Sequence, residues 1–134
     1  MPSYWILKTE PSTYSFADLM KEGTSVWDGV SNPVALRNLR SMKPGEEVMI
    51  YHTGDEKAVV GFATVVSEPR PDPKNPRLTV VDLKAGPAIA RPVTLAAIKA
   101  DAAFADLALV RQGRLSVVPV PAPLWKRLMA MGTE

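Results

Sequence analysis

A chain of 134 residues, 46% apolar and 22% charged, is long enough to bury one core and too short for two. It has no cysteine, which excludes disulfides, thiolate metal sites and a cysteine nucleophile and suits a reducing cytoplasm. The net charge of +2 favours a polyanion partner only weakly. No apolar run approaches the roughly 20 residues needed to cross a bilayer and no signal-peptide pattern opens the sequence, so a soluble, intracellular, cytoplasmic protein is expected.

Residues 4–8 form an apolar, β-rich run and predict a buried strand stopped at Glu10 and Pro11, since proline cannot donate to a ladder. Ser15 followed by Asp18 is a variant capping box, and Phe16, Leu19 and Met20 then share one helical face up to Gly23. Residues 26–33 contain glycine and asparagine and read as a connection between two helices, with Trp27 outside any periodic pattern. Asn32 as cap and Pro33 in the first turn open the second helix, whose Leu36 and Leu39 point inward, up to Met42. Lys43, Pro44 and Gly45 suit a type II turn.

Strands are predicted over 47–53, 58–68 and 77–84, the first two joined by the polar turn 54–57 and therefore antiparallel. Four prolines at 69, 71, 73 and 76 predict an ordered surface loop over 69–76. Thr94 can cap a short helix through Lys99, and Asp101 a further turn through Asp106. Residues 115–120 read as a late strand, and 121–131 as a closing amphipathic helix stopped by Gly132. Five or six short strands with small helices predict one α+β domain over 1–134, with a strongly curved or barrel-like sheet.

Two short clusters hold the candidate chemistry. Lys8, Thr9, Glu10, Trp27, Asp28 and Asn32 can build a flat aromatic wall ringed by hydrogen-bonding groups, which is how one planar base is held. Trp27 offers a face for stacking, worth about 1–3 kcal/mol per base, or else plugs one end of the barrel. Trp5 and Trp125 lie in periodic stripes and are expected in the core. Lys8 can meet phosphate, Thr9 a base edge, and Glu10 an exocyclic amine; Lys8 and Glu10 can equally form a surface pair. His52, beside Tyr51, is the single histidine and suits a structural hydrogen-bonding role better than a general base. Arg111, Gln112, Arg114 and Ser116 flank Gly113 as a pocket rim, with Arg111 alternatively paired to Asp106 or Asp101. Arg37, Arg40 and Lys43 make a second basic spot or a solvated helix face. No glycine-rich phosphate loop, nucleophile elbow or zinc-protease helix supports an enzyme, and no metal or cofactor is expected.

In this order, YWILKTEP, SFADL, VWDGVSNPVALRNL, VMIYHT, ARPVTLAAIK and ALVRQGRLSV resemble the EVE domain family from Tyr4 to about Met131. The resemblance implies a PUA-like fold, a small mixed barrel with peripheral helices, related to the YTH and ASCH domains. It implies a non-catalytic reader of a modified base in nucleic acid, modified cytosine in DNA being the favoured ligand, or of a modified nucleotide. Carried over by position, Lys8 and Thr9 match the family's first-strand end, Trp27 the cage tryptophan and Asn32 the asparagine after it. Tyr51 and His52 match the aromatic–histidine strand end, and Arg111, Gln112, Arg114, Leu115 and Ser116 the RQxRLS motif. Val30 and Asp28 flank the cage within the same block. Ser31 stands where many members carry arginine, and Pro33 where an aromatic or polar residue is usual, which removes one cation beside the cage. Two alternatives accompany this expectation. One is an ASCH-like hydrolase of a modified nucleoside using Lys8, Thr9 and Glu10; the other is a PUA-type RNA-binding module indifferent to modification.

Overall fold

A computed structural model describes residues 4–133. Strand β1 (Tyr4–Thr9) is followed by α1 (Phe16–Glu22), β2 (Thr24–Trp27), α2 (Pro33–Arg40), β3 (Glu47–His52), β4 (Ala58–Val65), β5 (Arg70–Asp72) and β6 (Asn75–Thr94). Helix α3 (Leu95–Ala100), a 3-10 turn (Ala102–Phe104), α4 (Ala108–Arg111), β7 (Val117–Val120) and α5 (Ala122–Thr133) complete the order. The seven strands form one sheet in the order β2-β6-β4-β3-β1-β7, with β5 on β6; β1 and β3 run parallel and the other pairs antiparallel. The α+β class and mixed sheet are as the sequence indicates, with two corrections: there are seven strands, not five or six, and the sheet is open rather than a barrel, since β2 and β7 do not pair.

Local chemistry sets the helix starts. Ser15 accepts from the Asp18 N–H while the Asp18 carboxylate accepts from the Ser15 N–H, the reciprocal capping box. Asn32 Oδ1 accepts from the N–H groups of Val34 and Ala35, and Pro33 occupies the first turn. Helix α2 then buries Ala35, Leu36 and Leu39 and is tied to β7 by Asn38 Nδ2 donating to the Val117 carbonyl. Thr94 and Asp101 cap the two following turns. Gly45, at φ 92°, with Glu46 N–H bonded to the Lys43 carbonyl, makes the expected type II turn.

Four readings need correction. Thr24–Trp27 is a strand rather than a helix connection, paired with β6 from Thr24↔Lys84 to Trp27↔Val81. The proline-rich stretch is not a loop: Arg70–Asp72 pairs with β6 as a hairpin, which prolines allow on an outer strand whose free side needs no donors. Strand β6 does not stop near Lys84 but runs to Thr94, with register shifts against β4 that accommodate the extra residues around Gly86, Pro87 and Pro92. Gly132 does not end α5; it lies inside the helix, where a Cβ would come within 2.9 Å of Ile89 Cγ2, so it lets the helix seat on β6. The core lies between sheet and helices. Trp5 and Trp125 are in it as expected, the Trp5 indole donating to the buried carboxylate of Glu46 at 2.9 Å.

Candidate functional site

The C-terminal end of β1 lies between the ends of β3 and β7, with Lys8 beside Tyr51 and Thr9 beside His52. Three hollows surround this strand end. A recess of about 470 Å³ is lined by Thr9, Thr13, Tyr14, Ser25, Trp27 and Asp28. A second, of about 310 Å³, is lined by Asn32, Val34, Gln112, Gly113, Arg114 and Leu115. A third, of about 160 Å³, takes in Lys8, Tyr51, Thr53, Lys57, Leu109 and Gly113. A larger hollow, about 550 Å³, lies elsewhere, between the β1–β7 pair and the start of α5. Its lining of Tyr4, Trp5, Leu107, Pro119 and Leu124 is largely apolar, whereas the Trp27 recess adds convergent polar groups to an aromatic wall and suits specific recognition better.

Trp27 closes β2 and retains 7% of its surface, with the Tyr14 ring edge-on to it at 6.2 Å and 78°. It is thus a strand-end wall rather than a loop residue, and the recess opens beside it. Asp28 is exposed at the rim. Thr9 Oγ1 donates to the Tyr14 carbonyl at 2.6 Å, which uses its proton and leaves oxygen lone pairs for an incoming donor. The Tyr14 hydroxyl donates to Glu22 at 3.1 Å; burial first, and then the neighbouring acids, push its pKa up.

Lys8 turns away from this recess. Its Nζ donates to the Gly113 carbonyl at 2.8 Å and lies 5.7 Å from the Tyr51 ring centroid, while its backbone N–H bonds the Ser116 carbonyl. Burial lowers the Lys8 pKa and raises that of the Tyr51 phenol. Consecutive strand residues project to opposite faces, which separates the Lys8 amine from the Thr9 hydroxyl. Glu10 pairs with neither; it accepts from Ser12 N–H, Ser12 Oγ and Thr53 Oγ1, and the Ser12 backbone bond is the main cause that holds its carboxyl below the usual range. His52 has both ring nitrogens engaged: Nε2 accepts from the Phe16 N–H at 2.9 Å, which assigns the proton to Nδ1, 2.8 Å from Glu56.

Asn32 lies with Gln112, Arg114 and Leu115 in the second hollow, so the structure does not bring it to the Trp27 recess. Its Oδ1 is spent on capping α2. Val30 and Leu115 are buried supports, and Ser116 is half-buried. Arg111 pairs with Asp106 at 3.0 Å, both largely exposed, an interaction worth little. Arg40 is anchored to Thr79 Oγ1 and the Arg77 carbonyl, away from the recess, while Arg37 is exposed on α2. Sequence reasoning missed Thr13, Tyr14, Ser25 and Lys57. The alternation of Thr24, Ser25, Val26 and Trp27 was the one available signal, since it places Ser25 and Trp27 on one face of a short strand.

The model of the EVE domain family matches residues 3–131. Human thymocyte nuclear protein 1 is 36% identical over 84 residues, which cover 54% of this chain and 37% of that protein. The match thus spans little more than a third of the human relative's length. A Rhodopseudomonas palustris protein solved by NMR is 39% identical, with a TM-score of 0.92 over 97% of this chain and 92% of that one. The crystal structure of human THYN1 protein in complex with 5-methylcytosine-containing DNA superposes with a TM-score of 0.91 at 26% identity, over 98% of each chain.

Proposed function

This chain belongs to the EVE domain family with its PUA-like fold, and on that premise we propose that it is a non-catalytic nucleic-acid-binding module that recognises a modified base, foremost a modified cytosine, in the recess beside Trp27. The observation that carries this reading is a recess of about 470 Å³ that joins an indole wall to the Thr9 hydroxyl and the Asp28 carboxylate. That volume falls within the roughly 300–1,000 Å³ of small-ligand pockets. Asp28 and Thr9 both accept, which matches a base edge that donates, such as the exocyclic amine of cytosine. The human THYN1 complex with 5-methylcytosine-containing DNA supports the same ligand class for this relative.

Magnitudes favour binding with modest discrimination. Extruding a base costs a few kcal/mol; stacking at about 1–3 kcal/mol and two hydrogen bonds at about 1 kcal/mol each offset it. A buried methyl adds about 0.8 kcal/mol, so a methylated cytosine binds roughly fourfold tighter than an unmodified one. The test is fluorescence anisotropy with matched DNA duplexes that carry or lack one 5-methylcytosine. Tighter binding of the modified duplex, weakened by Asp28→Ala, is expected. Equal affinity for both, with a steep salt dependence and no response to Asp28→Ala, replaces this reading with modification-independent RNA or DNA binding.

A further inference from the structure

The third hollow has a composition that base recognition leaves unused. It is small, about 160 Å³, or a few waters at roughly 30 Å³ each. That is below the roughly 300–1,000 Å³ of drug-sized ligand pockets and suits a ligand as small as a tetrahedral oxyanion. Two lysines line it: Lys8 from the end of β1 and Lys57 from the β3–β4 turn. Lys8 spends one donor on the Gly113 carbonyl and retains two.

Lys57 is the unusual member. It is the one non-glycine residue with positive φ among the described residues, at 47°, a conformation that L side chains rarely adopt. Its carbonyl accepts from the Leu95 N–H at 2.8 Å, which locks the turn against α3, and its amine has no partner among the described residues. Strained residues held by their surroundings cluster at ligand clamps. Glu10 is engaged with Ser12 and Thr53 and Glu56 with His52, while Asp55 of the same turn is exposed. Glu10 lies against Gly54, where a Cβ would sit 2.8 Å from its carboxylate.

We infer that Lys57 and Lys8 form an oxyanion site in this hollow, occupied by a backbone phosphate of the same nucleic acid whose base is held at Trp27, on the opposite face of β1. The backbone occupant rests on the proposed function; the oxyanion site rests on the two lysines alone. Gly113 connects it to the second hollow, where Arg114 lies, so the two line one path for a strand on the same side of β1.

The test uses the full chain with Lys57→Gly, which keeps a positive-φ backbone and removes the charge, and Lys57→Arg, which restores it. Inorganic phosphate, followed by amide chemical shifts, is expected to move Lys8, Lys57 and Gly113 saturably in the parent and not in Lys57→Gly. With 5-methylcytosine DNA, Lys57→Gly is expected to lower the slope of log K against log salt by about 0.7–0.9, with the modified-to-unmodified ratio unchanged and the slope recovered in Lys57→Arg. Phosphate shifts that are absent, or identical in Lys57→Gly, overturn the site. Saturable phosphate shifts with an unchanged slope overturn the backbone occupant and leave a site for free phosphate. A parent that binds phosphate but no oligonucleotide overturns the proposed function and that occupant together, whereas base discrimination without phosphate binding overturns the oxyanion site alone.

Discussion

Trp27 is both wall and core, so replacing it has two effects that one measurement confuses. Trp27→Ala is expected to cost about 3–5 kcal/mol of stability as well as the stacking contribution, because the ring keeps 7% of its surface. Trp27→Phe retains much of the packing and should weaken DNA binding several-fold with a smaller fall in urea midpoint; anisotropy and urea unfolding on the same sample separate the two. His52→Ala should behave in the opposite way. It leaves the buried Phe16 N–H without its acceptor, a loss of about 1–3 kcal/mol in denaturant unfolding, with base discrimination intact. Asp18 gives a pH signature. The Ser15 backbone N–H first, then its hydroxyl, hold the Asp18 pKa below the usual carboxylate value. A lowered folded pKa stabilises above the ordinary value, near 4, and this stabilisation fades as pH falls through the folded one. Ser15→Ala should therefore lower the melting temperature at neutral pH and shrink the difference from the parent in acid.

Helix α1 comes closest to β4 at a glycine. Gly61 of β4 lies under Phe16, and a Cβ there would fall 2.2 Å from the ring's Cζ. Gly61→Ala must displace the ring and the helix it opens, at a cost of about 1–3 kcal/mol or more, and because α1 packs on β2 it should also reduce DNA binding. Thermal unfolding and anisotropy check both parts. Elements with side-chain caps were legible in the sequence: Ser15–Asp18, Asn32–Pro33, Thr94 and Asp101 each mark a start with a local hydrogen bond. The apolar, β-rich runs of β1, β3, β4 and β7 were legible as strands, but β2, β5 and the second half of β6 were not. Thr24–Trp27 is too short for period-2 alternation to stand out, and the prolines of β5 and β6 suggest breaks until the neighbouring strand supplies the pairing.

At the scale of the molecule, a net charge of +2 gives little long-range attraction, so the site must rely on a few local cations. If one phosphate sits at Lys8 and Lys57 and a second at Arg114, the salt slope of DNA binding should be about −1.4 to −1.8; a much steeper one would implicate a surface beyond these hollows. Lys8, Thr9, Trp27, Asp28 and Arg114 among the hollow-lining residues were legible in the sequence, but Thr13, Tyr14, Ser25, Lys57 and the division among three hollows were not. Spacing cannot reveal that Lys8 bends to Gly113 while Thr9 stays with Tyr14, nor that Asn32 spends its oxygen on the α2 cap.

The placement of β1 between β3 and β7 governs the order of events in synthesis. Lys8 bonds Gly113 across a separation of 105 residues, and its backbone N–H waits for Ser116. At roughly 5–20 residues per second, a ribosome needs on the order of 5–20 s between making the first partner and delivering the second. Throughout that interval the nascent chain carries an unpaired apolar strand edge, so the first strand of this sheet to be made is also the one whose ladder is completed last.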